Sequence, residues 1–539
     1  MRGRLSTLLP GGGLHQRPRP PVVVWLPAVI VAVAVSLPLV YLWIRALDSG
    51  WDIVPLLLRQ RTAEILLRSF LLVTFVTAAS VLIAVPLAWI TVRTDLPLRR
   101  LWSLLTVLPL VIPSYVGAFL VVATLGPRGT MQGVLERWFG ISSIPDIHGL
   151  DGAAFTITVL SFPYVLLSVR AALWGLDPSL EEAARGLGQG RWQTFWRVTL
   201  PQLRPAIGVG ALLVALYTLS DFGAVSLLRY ETFTWAIYLQ YDSAFDRSLA
   251  AGLSLVLVGV AATLLYMEAW ARGRSRYYRS SVGSARPSSV VSLGGWRWPA
   301  LAFVAGVVLV SLVLPTSVLV YWAARAVTAE GSLNVGWSAA ANSIYSSSLA
   351  AGVAAVAALP VVVLTVRHPG RISGLIERLS YIGFALPGIA VALALVFFGV
   401  RYATFLYQSL ALLVFAYLVL FFPQAMGAVR AAFLQVSPRM EEAARSLGQG
   451  PVGVLKSVTV PLVWPGLLAG AALVFLTAMK ELPATLLLSP IGFKTLSTSI
   501  WTSVEAGFYT RAAVPTLLLI LISSVPTAFF FLREPRRGR

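Results

Sequence analysis

Long apolar stretches recur along almost the whole of this 539-residue chain, and they restrict its fold more than any other feature. A bilayer core takes about 20 consecutive apolar residues per helix. Twelve runs meet that need. They centre near Val33, Ala79, Gly117, Val165, Leu216 and Val258, then near Val310, Ala355, Ala390, Ala416, Ala472 and Leu519. Charged residues make up 12% of the chain, about half the roughly 25% typical of a soluble domain, so most of the surface must face lipid. Pro86, Pro113, Pro163, Pro360, Pro387 and Pro423 fall inside these runs. Membrane helices tolerate them because neighbouring helices take up the freed backbone groups. The first run, Val22 to Leu47, follows Arg2, Arg4, Arg17 and Arg19. It is too long for a signal-peptide core and has no clear small-residue cleavage site, so it reads as a retained first helix. The expected fold is an all-α polytopic membrane protein of about twelve spans.

The formal charge of +20 comes from arginines grouped between the runs. That grouping fits anionic lipid and cytoplasmic loops rather than nucleic acid. Arg93, Arg99 and Arg100 follow the second run, and Arg185, Arg191, Arg197 and Arg204 the fourth. Arg272, Arg274, Arg276 and Arg279 follow the sixth, Arg367, Arg371 and Arg378 the eighth, and Arg430, Arg439, Arg445 and Lys456 the tenth. All fall on one side if both termini are cytoplasmic. The opposite loops carry mixed charge, as in Glu136, Asp146 and Asp151 or Asp242 and Asp246, and Arg59, Arg61 and Arg68 are the main exception. There is no cysteine, and His15, His148 and His368 are the only histidines. Disulfides, thiolate metal sites, cysteine nucleophiles and histidine-rich metal clusters are therefore excluded.

The chain repeats itself. EEAARGLGQG at 181–190 returns as EEAARSLGQG at 441–450, an offset of 260. The same offset pairs Pro163 with Pro423, Arg170 with Arg430, Pro178 with Pro438, Pro201 with Pro461, Pro205 with Pro465 and Asp221 with Glu481. Upstream the offset is 274, pairing Pro86 with Pro360, Arg93 with Arg367 and Pro113 with Pro387. Each copy holds an even number of spans, so the two are parallel repeats about an axis along the membrane normal. The division expected is a tail over 1–21, a first half over 22–272, a linker over 273–298, a second half over 299–532 and a tail over 533–539.

The repeated segment lies between the fourth and fifth spans of each copy. Asp177 and Ser437 stand as N-caps ahead of Pro178 and Pro438. Glu181, Glu182, Glu441 and Glu442 sit near a positive helix end. Ala183, Ala184, Ala443 and Ala444 favour helix and keep one face flat. Gly188 and Gly448 can end that helix in a left-handed conformation. A second short helix is expected, stopped by Pro201 or Pro461. A flat helix of this kind suits docking in a groove on a partner.

The pattern Glu182, Ala183, Ala184, Gly188, Val198, Leu200, Pro201, repeated as Glu442, Ala443, Ala444, Gly448, Val458, Val460, Pro461, is similar to the EAA loop of ABC importer permeases; Val460 stands where leucine is usual. The resemblance implies a type I permease fold with two fused halves of six helices, in a bacterial plasma (inner) membrane. It implies that the loops dock on a separate ATP-binding subunit, in two copies for two loops, which uses ATP and Mg. It also implies an extracytoplasmic solute-binding protein. No lysine follows a glycine, so this chain has no P-loop and no cofactor of its own is expected.

Ser220 to Tyr238, SDFGAVSLLRYETFTWAIY, and Lys480 to Leu496, KELPATLLLSPIGFKTL, resemble the fused permeases of ferric-iron importers. Thiamine and phosphonate importers have similar permeases. Asp221 and Glu481 fall at matching positions in or near the membrane, where an acid must face a cavity or a partner. One reading has them flank the pathway and attract a cation, with Tyr217 and Tyr230 as companions. The other has Asp221 cap a half-helix ahead of Gly223 and Glu481 pair with Lys480 or an arginine. Gly223 and Pro483 can break the fifth and eleventh spans or serve as packing kinks. Trp51, Trp296, Trp298 and Trp322 read as interfacial belt. A permease must let its solute go, so no tight metal site is expected. A secondary transporter would share the repeat and the acids but not the paired motif. An intramembrane enzyme would need clustered histidines or acids that the spans lack.

Overall fold

The computed structural model describes residues 21–48, 55, 57–126, 129–140, 145–176, 178–242, 247–272, 290–330 and 336–532. Residues 1–20 and 533–539, the linker up to residue 289, Trp51, Asp177 and Asp246 lie outside the described residues. Every named element is helical; one isolated bridge joins Thr94 to Val291.

The first half runs α1 (Val22–Asp48), α2 (Gln60–Arg93), α3 (Arg99–Leu105), α4 (Ser114–Leu125), α5 (Thr130–Phe139), α6 (Leu150–Gly175), α7 (Pro178–Gly186), α8 (Arg191–Thr194), α9 (Leu200–Ser220), α10 (Gly223–Leu227), α11 (Phe233–Asp242) and α12 (Arg247–Arg272). The second runs α13 (Arg297–Val308), α14 (Leu314–Glu330), α15 (Trp337–Arg367), α16 (Arg371–Ser380), α17 (Gly388–Tyr402), α18 (Leu410–Phe433), α19 (Pro438–Ser446), α20 (Pro451–Val454), α21 (Val460–Met479), α22 (Pro483–Leu488), α23 (Leu496–Glu505) and α24 (Tyr509–Leu532).

Ten helical stretches are long and apolar enough to cross a bilayer, and two bent pairs bring the number to twelve. The third and ninth spans are the bent ones. Arg99–Val111 meets Ser114–Phe139 at 93°, and Arg371–Phe384 meets Gly388–Tyr402 at 106°. The cause is local: Pro113 and Pro387 are the N-caps of α4 and α17, and Ile112 and Leu386 before them are extended, as steric conflict with a following proline ring requires. Pro86, Pro163, Pro360 and Pro423 stay inside continuous helices.

The core of each half is a three-helix packing, α2, α6 and α9 in the first and α15, α18 and α21 in the second. Close approach depends on small residues, since helices in lipid associate by packing and not by hydrophobic exclusion. A Cβ on Gly210 would stand 2.6 Å from the Val165 Cα; its repeat mate Gly470 lies against Ala425, the mate of Val165.

The halves interlock. The leading helix α1 packs along α15 to α18 of the second half as well as against α12, and α13, α14 and the π turn Leu309–Val313 between them pack on α3, α4 and α6 of the first half, with α14 also against α24. A shared cluster fills the space between halves. Tyr115, Phe119 and Phe222 from one side meet Met479, Leu482 and Trp501 from the other, with the Phe222 and Trp501 rings 5.4 Å apart. Where the chain enters the second half it is tied to the end of α2. Val291 N–H donates to the Arg93 carbonyl at 2.8 Å, and Leu293 N–H to Asp95 Oδ1 at 2.9 Å. That last bond holds the Asp95 carboxyl below its ordinary range.

Two of the three arginines that broke the charge pattern share a partner. Arg61 pairs with Glu231 at 2.9 Å and Arg68 with the same carboxylate at 3.7 Å.

Candidate functional site: the paired motif and the broken spans

Each repeated motif forms a short helix closed by a left-handed glycine. Gly188 has φ +84° and Gly448 φ +83°. Gln189 N–H reaches back to the Ala184 carbonyl at 3.1 Å, and Gln449 N–H to that of Ala444 at 3.2 Å. These are six-residue closures that satisfy helix-end carbonyls. Counting each bent pair as one span, six crossings separate the two motifs, so both emerge on one face of the bundle.

One expectation needs correction. Pro201 and Pro461 do not stop a second short helix. α8 passes through a π turn, Phe195–Thr199, directly into α9, and α20 passes through Leu455–Thr459 into α21. Leu200 N–H bonds to the Phe195 carbonyl five residues back, as Val460 does to Leu455. The wider turn puts each proline in the first turn of the next helix, where its missing N–H costs nothing. Ser437 does occupy the N-cap of α19, but its side chain accepts no capping bond.

The two glutamates of each motif part company. Glu182 and Glu442 are exposed, with Ala183, Ala443 and the 85% exposed Leu187 and Leu447. Glu181 and Glu441 are buried, as are Ala184 and Ala444. Glu181 accepts from Arg93 Nη2 at 3.3 Å and from Thr199 Oγ1 at 2.8 Å. Glu441 accepts from Arg367 Nε and Nη2, both at 3.1 Å, and from Thr459 Oγ1 at 3.3 Å. Arg93 with Arg367 and Thr199 with Thr459 are repeat mates. Glu181 and Glu441 do stand in the first turn of their helices, and their burial adds an ion pair there. A further mated pair lies behind it: Arg170 donates to the Ser103 carbonyl at 3.0 Å, and Arg430 pairs with Glu377.

The second constellation lies where α9 and α21 end. Asp221 Oδ1 accepts the Ala224 N–H at 2.9 Å, and Glu481 Oε1 the Ala484 N–H at 3.3 Å. Both acids therefore close the N-termini of the short helices α10 and α22, so Gly223 and Pro483 mark true breaks. A Cβ on Gly388 would stand 2.5 Å from Glu481 Oε1, the far end of a flexible side chain. Lys480 does not turn to Glu481. Its Nζ crosses to the first half and donates to the Leu110 carbonyl at 2.8 Å. Tyr217 packs its ring 5.5 Å from that of Tyr164, whereas Tyr230 donates to the Arg68 carbonyl. Sequence reasoning missed Lys480 as an inter-half tie; its mate Ser220 gave the only sign, a charge present in one copy alone.

Two interlocked helical halves, each with broken spans at their meeting line and a matching motif on one face, define a multi-pass transport permease. The chain belongs to the family described as binding-protein-dependent transport system inner membrane component, whose pattern matches it twice, over residues 80–329 and 348–539. It is thus an ABC-type permease with both halves in one polypeptide. It is 35% identical over 512 residues to the Fe(3+)-transport system permease protein FbpB 2 of Haemophilus influenzae, covering 94% of this chain and 97% of that one. It is 23% identical to the ferric transport system permease protein FbpB of Actinobacillus pleuropneumoniae, over 89% of this chain and 72% of the relative. The molybdenum transport system permease protein ModB of Escherichia coli is 36% identical over 37% of this chain and 91% of its own.

Proposed function

We propose that this chain is the permease of an ATP-driven importer of ferric iron, fed by an extracytoplasmic binding protein. The observation that carries the cargo is the nearly end-to-end match to FbpB 2. Iron here is cargo, selected by the binding protein and passed on through weak contacts.

The motif face is cytoplasmic in this reading, as are both termini, and α7 and α19 each dock one copy of an ATP-binding subunit. That subunit binds ATP and Mg. Glu182, Ala183, Gly188 and their mates Glu442, Ala443 and Gly448 present the docking surface. Ala184, Ala444, Pro201 and Pro461 shape the helices beneath it. The solute passes between the halves at the level of the breaks, where Asp221, Glu481 and Tyr217 shape the wall and both acids serve as helix caps.

The test is reconstitution of the full chain with its ATPase and binding protein in proteoliposomes. ATP-dependent accumulation of ferric iron, well above that of molybdate or thiamine, is the expected result. Preferred uptake of either competitor would overturn the cargo. The native chain has no cysteine, so single cysteines at 187 and 447 report sidedness; labelling of both from the extracytoplasmic side would overturn the orientation.

A further inference from the structure

We propose that Glu181 and Glu441 are positioning residues that couple each motif helix to the spans behind it, and do not themselves touch the ATPase. The inference deepens the docking reading and rests on it. Each carboxylate joins three elements that are separate in the chain. In the first half it sits on α7, takes Arg93 from the end of α2, and takes Thr199 from the last residue of the π turn before α9. The second half repeats this with α19, Arg367 from α15 and Thr459 before α21. The helices α2 with α9 and α15 with α21 belong to the two half-cores. A displacement of the motif helix thus reaches two core spans at once, one through the arginine and one through the threonine, besides passing along the chain.

The geometry favours transmission over mere stability. A buried ion pair contributes little net stability, because desolvating both charges offsets their attraction, but it fixes geometry and resists the loss of one partner. Here it fixes a short helix of nine residues that the Schellman turn leaves exposed on its other face.

The two couplings are unequal. Arg367 engages Glu441 with two nitrogens, adds a bond to the Val436 carbonyl at 2.9 Å, and lies 4.4 Å over the Phe433 ring. Arg93 reaches Glu181 with Nη2 alone, and its buried Nε and Nη1 have no hydrogen-bond partner among the described residues. The second half therefore holds its motif helix more firmly.

The test uses the full chain with its ATPase and binding protein in proteoliposomes, reading radiolabelled ferric iron imported per ATP hydrolysed. In E181Q/E441Q the ATPase subunits still co-purify, while iron per ATP falls about tenfold, within the span of ordinary coupling free energies. T199V/T459V leaves both arginine pairs in place and removes one hydroxyl donor to the carboxylate per half; it loses about tenfold, as for a single hydrogen bond to a charged group. E441Q alone loses more than E181Q alone. Parental coupling in both double variants would overturn the proposal. So would loss of ATPase co-purification in E181Q/E441Q, since the glutamates would then form the docking face itself. A parent that retains no ATPase or imports no iron would sink the functional reading instead, before any variant is compared.

Discussion

Gly188 and Gly448 hold backbone angles near φ +84° with open space around the position of a Cβ. A side chain there would meet no neighbour; it would meet its own backbone. A β-branched residue in the left-handed region costs about 1–2 kcal/mol, enough to unwind the closing turn and swing Leu187 or Leu447 away. G188V/G448V is therefore expected to remain inserted and expressed while uptake falls at least tenfold; uptake at the parental rate would show that the turn does not set the docking surface. The glycine could be read in the sequence because its conformational need is carried by the residue itself. The inward turn of Glu181 could not. Its partner Arg93 lies 88 residues away in sequence, and nothing local distinguishes it from the exposed Glu182. The matched offset of Arg93 and Arg367 was visible, but a repeat shows that a residue is shared and leaves open what it bonds.

At the scale of the element, the broken spans are where sequence and structure diverge most usefully. Apolar length counts spans well, because any helix in lipid must present about the same hydrocarbon thickness. It does not say which proline breaks one. Pro86 and Pro163 stay within helices that neighbours support on several sides, whereas Pro113 and Pro387 follow 3₁₀ turns that have already ended the preceding helix. The same logic explains why Pro201 does not stop a helix: the π turn ahead of it absorbs the register change. Asp221 and Glu481 belong to this scale, for each caps the helix that restarts after a break. If capping is their main service, D221N/E481Q keeps an acceptor in place and retains at least half of parental uptake. D221A loses the cap, and stability falls by about 1 kcal/mol, seen as a lowered thermal midpoint in nanodiscs. Abolition of uptake in D221N/E481Q with an unchanged midpoint would mean that the charges act on the solute.

At the scale of the whole molecule, duplication was legible but interlocking was not. Periodicity and offsets describe each half as a separate unit, and no pattern within α1 announces that its buried residues, Ala28, Val35 and Leu42 among them, pack in the same core cluster as α15 and α18. The exchange of leading helices has a mechanical consequence. A tether between the halves is not needed to keep them together, because α1 holds the second half and α13 with α14 hold the first. Interrupting the chain between residues 272 and 290 and co-expressing the two pieces should give halves that co-purify in mild detergent and still import. Removing residues 1–48 from the first piece should sharply reduce that co-purification, since the face of α15 that α1 covers would be left to lipid and only α13, α14, the shared aromatic cluster and the Lys480 tie would stand out among the remaining contacts between the halves. Packing, and not hydrophobic exclusion, drives such association in a bilayer, so the loss should persist in nanodiscs of any lipid composition. Halves that part in the simple split, with α1 present, would show that the covalent connection and not the exchanged helices holds the permease together.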